Sequence, residues 1–399
     1  MIRGTIGFGQ CDFRGAALTF DLPASAGNPG YPAFDNMSPG PGGVGGGLGA
    51  AKWFGNQMFT RIFDTQGQWA VGFQIMPFYQ SGSSTLWALD KFLQISSATL
   101  NLIALEIQTN GKLAVVAGGD GTSGTGSIVG TSTQIFPVGS WSGYLEILAV
   151  GLGGSTVVQV FLNDVQIILC TVGTASGADR IALGTQNGTT FGVDSQPYFG
   201  LVFANVYCAD GQGSAPFNTR LGPVRITTVS PNADAGGNWT ITPGSLTSRY
   251  VAVDDIFPSD GNGSPDGDHS YITNVTLDPQ WFTFGGAGGA PCYGRILGVM
   301  VNLCFRGASG STTCNALLLQ QATQTSIGTA TVNGLYQTQQ LFQALSPATG
   351  TYFTTGEVAG SLWGVSTSST GLMLTQMFLE EVVSLRSTPY DCGQASYSF

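Results

Sequence analysis

The stretch IALEIQTNGKLAVV, residues 103–116, consists of two short runs in which every second residue is apolar. The apolar positions share one face of each run: Ile103, Leu105 and Ile107 in the first, Leu113 and Val115 in the second. Asn110-Gly111 lies between the runs, and both residues tolerate the positive φ angles of a type I′ turn. The stretch therefore predicts a β-hairpin with one buried face.

Two further stretches repeat this design. VVQVFLNDVQIILC, residues 157–170, has Asn163-Asp164 between its runs, and TATVNGLYQTQ, residues 329–339, has Asn333-Gly334. Many short strands separated by turn residues are typical of β-sandwiches. The sequence therefore predicts an all-β protein.

Changes in composition divide the chain into four parts. Residues 1–47 are rich in Gly and Pro without any period, which predicts an arm lying on a neighbour or a flexible lead-in. A first strand-rich block covers residues 48–208, a linker covers 209–221, and a second strand-rich block covers 222–399. We expect each block to form its own sandwich.

One helix is predicted near the end of the second block. Thr354 followed by Glu357 matches a capping box, in which each side chain accepts a hydrogen bond from the other residue's N–H. Apolar residues then recur at i, i+4 and i+7, at Val358, Leu362 and Val365. This spacing predicts a helix of about two to three turns.

Charged residues make up only 9% of the 399 residues, and the net charge is −10. Ordinary soluble domains have about 25% charged residues. A weakly charged exterior relies on contacts with neighbours rather than on self-repulsion. We therefore expect a chain that is packed into an assembly, and the alternative is a free extracellular β-protein.

Several classes of partner lack the residues they require. The few Lys and Arg are scattered singly, so no basic stripe is present for nucleic acid. No run of about 18 apolar residues predicts insertion into a membrane. The N-terminal MIRGTIGFGQCDF does not have the pattern of a signal peptide, which predicts synthesis and assembly in a cytoplasm.

The seven cysteines include no CxxC pair. Free buried thiols in a reducing compartment are the favoured interpretation. The alternative is a disulfide between Cys304 and Cys314, which flank the short loop in CFRGASGSTTC and could face each other across a hairpin.

Catalytic groups are difficult to assemble from this sequence. Gly40, Gly42 and Gly45 match GxGxxG, but no strand precedes them and no amphipathic helix follows. His269 is the only histidine, so zinc chemistry and a Ser–His–Asp triad would both depend on it. A surface residue at the start of a strand is its favoured interpretation.

Glu106 and Glu146 are the glutamates that could form the paired carboxylates of a glycosidase. Both lie within strands and alternate with apolar neighbours, so outward-facing charges are the favoured interpretation. The chain is therefore predicted to be no enzyme and to use no cofactor.

The stretch VDDIFPSDGNGSPDGDHSYI, residues 253–272, is rich in aspartate. Asp260, Asp266 and Asp268 offer the hard oxygen ligands that calcium prefers. The spacing does not match an EF-hand loop, however, and Asp, Asn, Gly, Ser and Pro also form turns. A loop joining two strands, RYVAVDD and SYITNVTL, is the favoured interpretation, and a structural calcium ion is the alternative.

The first block is similar to a laminin-G-like, or concanavalin-like, jelly roll through WAVGFQI, NGKLAVV, GSWSGYLEILAVG, VVQVFLNDVQI and YFGLVFANVYCAD. The second block resembles the second half of a family of tailed-bacteriophage virion proteins through RYVAVDD, PDGDHSYI and RILGVMVNLCFR. The resemblance implies a laminin-G-like jelly roll followed by a second β-sandwich domain with one short helix. It also implies a non-enzymatic structural component of a phage particle.

We therefore expect a subunit of a bacteriophage virion, such as a head decoration, a spike or a tail-fibre-associated protein, assembled in the host cytoplasm. Its partners would be other virion proteins and copies of itself.

The alternative is a glycan-binding module for host attachment, because jelly rolls often stack aromatic rings on sugars. The candidate stacking residues are Trp87, Trp141, Tyr144 and Trp239, and burial in the core is the competing interpretation. A polysaccharide hydrolase is a third alternative, which would need a cleft with two facing carboxylates.

Overall fold

A computed structural model describes most of the chain. The described residues are 2–6, 33–34, 51–54, 57–80, 90–119, 125–135, 143–185, 198–213, 215–254, 270–285, 295–307, 312–332, 334 and 337–385. Within these ranges the chain forms 25 β-strands, one α-helix and one 3₁₀ helix. The prediction of an all-β protein is confirmed.

The first half of the chain forms a sandwich of two antiparallel sheets. Its strands are β1 Ile2–Ile6, β2 Ala33–Phe34, β3 Ala51–Phe54, β4 Gln57–Gln66, β5 Gln68–Gln80, β6 Asp90–Ser96, β7 Asn101–Ile107, β8 Lys112–Ala117, β9 Ser127–Ile135, β10 Tyr144–Val150, β11 Ser155–Leu162, β12 Val165–Gly173, β13 Ala178–Thr185 and β14 Tyr198–Asp210. Sheet A has the order β12-β11-β10-β5-β14-β3-β2, with β1 also paired to β14. Sheet B has the order β4-β13-β6-β7-β8-β9.

Every second residue of β5, β7 and β10 points between the two sheets, because successive side chains of a strand alternate between its faces. These side chains form one buried apolar cluster that includes Trp69, Phe73, Ile103 and Ile147. Trp69 satisfies its indole N–H inside the cluster by donating to the carbonyl oxygen of Ala178 at 3.0 Å. Burying each large apolar side chain contributes about 1.5–3 kcal/mol, so this cluster holds the sandwich together.

The second half of the chain forms another two-sheet sandwich. Its strands are β15 Val224–Val229, β16 Pro231–Gly236, β17 Thr240–Thr242, β18 Tyr271–Thr273, β19 Gln280–Phe284, β20 Ile296–Gly307, β21 Thr312–Gln320, β22 Thr323–Val332, β23 Gln337–Gln343, β24 Leu362–Thr367 and β25 Leu372–Ser384. Sheet C has the order β17-β18-β25-β20-β23, with β15 also paired to β25, and sheet D has the order β16-β19-β24-β21-β22. Their shared core includes Trp239, Phe282, Val301, Trp363 and Leu379. The predicted arrangement of a jelly-roll sandwich followed by a second sandwich with a short helix is confirmed.

Helix α1 spans Thr355–Gly360 and is shorter than the sequence predicts. The capping box of Thr354 and Glu357 is present as expected, and it begins the helix. Leu362 and Val365, however, lie in β24 rather than on a helix face. β24 forms hydrogen bonds with β19 and β21, and these tertiary contacts override the helical spacing of the two apolar residues.

The hairpin turns differ in detail from the type I′ prediction. Asn163 and Asp164 have φ angles of 50° and 66°, as a type I′ turn between β11 and β12 requires. At the β7–β8 hairpin only Gly111 has a positive φ, of 78°, and its N–H bonds to the carbonyl oxygen of Gln108. This loop is therefore one residue longer and closes with a left-handed glycine. The third predicted turn, Asn333-Gly334, is only partly within the described residues.

The outer face of sheet A packs against the outer face of sheet C. A third apolar cluster joins Tyr144, Leu148 and Tyr207 of sheet A to Met300 and Val382 of sheet C. Phe217 and Leu221 are buried in the same cluster, and both lie in the connecting segment between β14 and β15. The four sheets therefore stack in the order B, A, C, D, and the segment predicted as a linker is part of a buried contact.

Further sequence predictions can be compared with the described residues. Ile2–Ile6 and Ala33–Phe34, in the Gly/Pro-rich first part, pair with strands of the chain's own sheet A; the rest of that part lies outside the described residues. RYVAVDD, expected as a strand, contains the 3₁₀ helix Tyr250–Ala252 instead. Within the described ranges, no helix has the length and apolar character needed to cross a membrane.

Candidate functional site

Glu146 is a fully buried carboxylate on the outer face of sheet A, at the junction with the second sandwich. Its Oε1 accepts hydrogen bonds from the Tyr207 hydroxyl and, at 2.8 Å, from the backbone N–H of Gly222. Its Oε2 accepts a hydrogen bond from Arg220 Nη1 at 2.8 Å. Buried charges persist where a counter-charge and hydrogen bonds satisfy them, and Glu146 has both.

Arg220 brings the connecting segment into this group. Its Nη1 also donates to Asp164 Oδ1 at 2.5 Å, and its guanidinium carbon lies 3.8 Å from the ring centre of Phe161. Asp164 is held in place by the tight turn between β11 and β12. Arg220 therefore links that hairpin to the segment that enters the second sandwich.

Asn205, in β14 of sheet A, is hydrogen-bonded to the first strand of the second sandwich. Its Oδ1 accepts a hydrogen bond from the N–H of Ile226 in β15 at 2.9 Å, and its Nδ2 donates to Gln74 Oε1 at 2.5 Å. The Tyr144 hydroxyl donates to the carbonyl oxygen of Asn205 at 2.9 Å. Asn205 has a φ of 53° at the point where the register between β14 and β5 shifts. This irregularity turns its amide toward the second sandwich.

The two phenols of the junction act as neutral hydrogen-bond donors. Burial raises the pKa values of the Tyr144 and Tyr207 hydroxyls well above the usual value for tyrosine. The nearby carboxylate of Glu146 raises both pKa values further. Both hydroxyls already donate to protein oxygens, at Asn205 and Glu146 respectively. These hydrogen bonds position the two sandwiches relative to each other.

A solvent-exposed cleft of about 540 Å³ lies on the second sandwich. Its walls meet at an isolated bridge between Ile296, the first residue of β20, and Phe353. The exposed guanidinium of Arg295 lies 5.0 Å from the ring centre of the half-buried Tyr352. The other lining residues are Thr351, Thr354 and Thr355.

The lining of this cleft combines an aromatic ring, apolar floor residues, hydroxyl groups and one guanidinium. No carboxylate is present among the described lining residues. The nearest acid along the chain, Glu357, is engaged with the helix cap, where it accepts hydrogen bonds from Thr354. The cleft can therefore hold a polar or anionic molecule with one apolar face. Sequence reasoning missed it, because Arg295 and Tyr352 are distant in sequence and form no motif.

Two of the predicted glycan-stacking residues are buried. Tyr144 lies in the cluster between the sandwiches, and Trp239 is fully buried in the core of the second sandwich. Trp239 donates its indole N–H to the carbonyl oxygen of Asp278 at 2.9 Å. Neither ring has a face available to a sugar, so the competing interpretation as buried aromatics describes these two residues. Trp87 and Trp141 lie outside the described residues.

The predicted metal site also lies outside the described residues, since Asp260, Asp266, Asp268 and His269 fall between residues 255 and 269. In the part of the chain that the structure does describe, no three His, Cys, Asp or Glu side chains come together as metal ligands. Calcium at the aspartate-rich stretch stays a prediction.

Glu106 and Glu146 both point away from the core of the first sandwich, as the alternation predicts, but they are buried rather than solvent-exposed. Glu146 lies on the outer face of sheet A, covered by the connecting segment. Glu106 lies on the outer face of sheet B, where it accepts a hydrogen bond from Gln108 at 2.6 Å. Because both sheets separate the two carboxylates, this pair does not form the facing acids of a glycosidase.

The four described cysteines form no disulfide with one another. Cys304 lies in β20 of sheet C and Cys314 in β21 of sheet D, and both are buried and form no disulfide with each other. Cys170 and Cys208 do not form a disulfide with each other either. The alternative of a Cys304–Cys314 disulfide is therefore wrong, and buried thiols are confirmed for this pair.

No protein-family model matches this chain, and no curated protein matches it. Solved structures to which this chain is similar include the cellulose-induced protein Cip1, at 13% identity and a TM-score of 0.35, over 52% of this chain and 93% of that one. Another is domain 4 of AbnA, an extracellular arabinanase from Geobacillus stearothermophilus, in complex with arabinotriose, at 16% identity and a TM-score of 0.31, over 52% of this chain and 91% of that domain.

A sialidase is similar at 13% identity and a TM-score of 0.29, over 42% of this chain but only 16% of the sialidase. Likenesses this distant indicate no function for this chain. The jelly-roll part of the resemblance seen in the sequence agrees with the fold, and its bacteriophage part stays a prediction.

Proposed function

We propose that this chain is a non-enzymatic binding protein that holds a carbohydrate in the cleft of Arg295 and Tyr352. The observation that carries the proposal is the composition of this cleft: a guanidinium that lies over an aromatic ring, with threonine hydroxyls around them. Sugars present an apolar ring face and many hydroxyls, and aromatic rings with a few polar groups are what binds them.

The guanidinium suits this task because its donors form a planar fork. Such a fork reaches two neighbouring sugar hydroxyls, or both oxygens of a sugar carboxylate. Thr351, Thr354 and Thr355 add hydroxyls that both donate and accept. The ring of Tyr352 makes an edge contact with Phe217, at 6.5 Å between ring centres.

A glycan array probed with the purified full chain tests this proposal. We expect the unaltered chain to bind a defined set of glycans and Arg295→Ala to bind them at least about tenfold more weakly. Lys112→Ala, which removes a cation at the β7–β8 hairpin of the other sandwich, is the control and should bind normally. A folded chain that binds no glycan, or an Arg295→Ala variant that binds equally well, would overturn the proposal.

A second proposed function is a structural subunit of a bacteriophage virion, which is compatible with the first because attachment proteins are themselves virion components. The buried junction supports it, since Glu146, Arg220 and Asn205 hold both sandwiches in one orientation, as a subunit with fixed contacts requires. Electron microscopy of particles made with and without this protein tests the idea. Normal particles that assemble in the presence of this protein but carry none of it would contradict the idea.

A further inference from the structure

Arg295, at the rim of the cleft, is an exposed arginine to which no described carboxylate forms an ion pair. Arg180, Arg220 and Arg249, in contrast, lie 3.6, 2.8 and 3.7 Å from a carboxylate oxygen. The chain has 23 Asp and Glu against 13 Lys and Arg, so carboxylates that could pair with a cation are in excess. Among the described residues, the N–H donors of Arg295 are therefore left for a ligand.

The position of Arg295 is fixed before any ligand arrives. Its carbonyl oxygen accepts a hydrogen bond from the N–H of Ser384 at 2.9 Å, and the next residue, Ile296, forms the bridge to Phe353. Its guanidinium carbon lies 5.0 Å from the ring centre of Tyr352, and a cation is attracted to the face of an aromatic ring. Less side-chain freedom is then lost when a ligand binds to the guanidinium.

The nearby carboxylate of Glu357 is satisfied without Arg295. It accepts hydrogen bonds from the backbone N–H and the hydroxyl of Thr354, at 2.7 and 2.9 Å. The hydroxyls of Ser346 and Thr349 donate to it as well, at 2.9 and 3.2 Å. Glu357 therefore belongs to the helix cap and does not take up the donors of Arg295.

We propose that the carbohydrate held in this cleft carries a carboxylate group, as a uronic or a sialic acid does, and that Arg295 binds both oxygens of this group. The inference rests on the carbohydrate binding proposed above and narrows its ligand. A planar carboxylate accepts two parallel hydrogen bonds from a planar guanidinium, and one guanidinium balances its single charge. The net charge of −10 repels anions in general, so a carboxylated sugar needs a cation at its site, whereas a neutral sugar does not.

A glycan array of matched pairs, probed with the purified full chain, tests this inference. One member of each pair contains uronic or sialic acid, and the other is the same glycan after reduction of its carboxyl groups to alcohols. We expect the unaltered chain to bind a carboxylated member at least about tenfold more tightly than its reduced partner. Arg295→Gln should bind both members alike, and Arg295→Lys, which keeps the charge but not the fork, should keep a smaller preference. Lys112→Ala is the matched control and should keep the full preference.

Thermal unfolding of each variant checks that it is folded. Equal binding of both members by the unaltered chain would overturn the inference, and carbohydrate binding in the cleft would still stand if Arg295→Ala then bound both more weakly. A preference that survives Arg295→Gln, or that Lys112→Ala abolishes, would overturn it too, because the carboxylate would then be bound elsewhere. Binding to sulfated glycans without binding to carboxylated ones would have the same consequence. A folded chain that binds no glycan would overturn both proposals.

Discussion

The ring of Tyr207 lies directly over Gly72, so that a methyl group added to this glycine would lie 2.3 Å from Cε1 of the tyrosine. Tyr144 approaches the same point, at 2.9 Å. Gly72 is in the middle of β5, where a glycine weakens a strand unless another group needs the space. Here the two rings that line the junction occupy the space that a side chain would fill.

Gly72→Ala should therefore destabilise the protein. The Tyr207 ring cannot move away easily, because its hydroxyl is hydrogen-bonded to Glu146, so the variant should lose about 1–3 kcal/mol of unfolding free energy. Gly173→Ala is the control: nothing lies within 4 Å of the added methyl group, and the change should stay within about 0.5 kcal/mol. Urea denaturation measures both, and equal effects would contradict the packing described.

Glu146→Gln should destabilise the protein more strongly. The amide keeps the shape of the carboxylate but leaves Arg220 without its buried counter-charge and cannot accept through both terminal atoms, so we expect a loss of about 3–5 kcal/mol. Asp164→Asn removes the other, more exposed, partner of the same guanidinium and should cost no more than about 1 kcal/mol. Chemical denaturation of both variants tests this order, and a reversed order would show that the buried pair is not the main contact.

Glu381 gives stability a specific dependence on pH. It lies in β25 on the core side of sheet C, fully buried, with no hydrogen-bond partner for either carboxylate oxygen. Burial raises its pKa from 4.5 to about 7, although the charge of Arg225 lowers it in part. Because the folded state holds this proton more tightly than the unfolded state, the contribution of Glu381 is full below pH 4.5 and is lost as the pH rises to about 7.

Glu381→Gln, which stays neutral, should remove this dependence. The difference in unfolding free energy between the variant and the unaltered chain should shift in favour of the variant by roughly 3 kcal/mol between pH 4 and pH 8. Glu357→Gln is the contrast, since hydrogen bonds from Thr354 lower the pKa of Glu357 and its contribution is lost as the pH falls. A constant difference across this range for Glu381→Gln would contradict the assignment.

The described cysteines should differ in their reactivity. Burial raises the pKa of Cys314 to about 12, whereas Cys170 is only partly buried on β12 and has a smaller rise in pKa. Thiolates are the reactive form, so alkylation of the folded chain at pH 8 should label Cys170 well before Cys314. Peptide mass spectrometry measures the labelling, and unfolded protein, in which both should react alike, is the control. Early labelling of Cys314 would contradict its burial.

Local patterns predicted the strands well, because alternation and turn residues act over a few neighbours. The β11–β12 hairpin at Asn163-Asp164 is an example of a fully local signal. A second tight turn, at Gln321-Ala322, has φ angles of 46° and 67° without any of the usual turn residues, and the sequence offered no sign of it. There the pairing of β21 with β22 decides the conformation.

Contacts between distant parts of the chain could not be predicted in this way. Glu146 alternates with core residues and was expected to carry an outward-facing charge, yet the segment that leads into the second sandwich covers it. The sequence predicted too long a helix for a similar reason, because Leu362 and Val365 belong to β24, whose partner strands are distant in sequence. The Arg295–Tyr352 cleft arises from the same kind of distant pairing, here between Ile296 and Phe353.

The stacking of sheets A and C limits how this protein can be shortened for study. A chain cut before residue 220 would leave the buried Glu146 carboxylate without its donors from Arg220 and Gly222, and would leave Tyr207 and Leu148 uncovered. The complementary fragment would expose Met300 and Val382 to water. It would also lack the Asn205 amide oxygen, which accepts a hydrogen bond from the N–H of Ile226. Neither half is therefore a self-sufficient folding unit, and each should aggregate when it is produced alone.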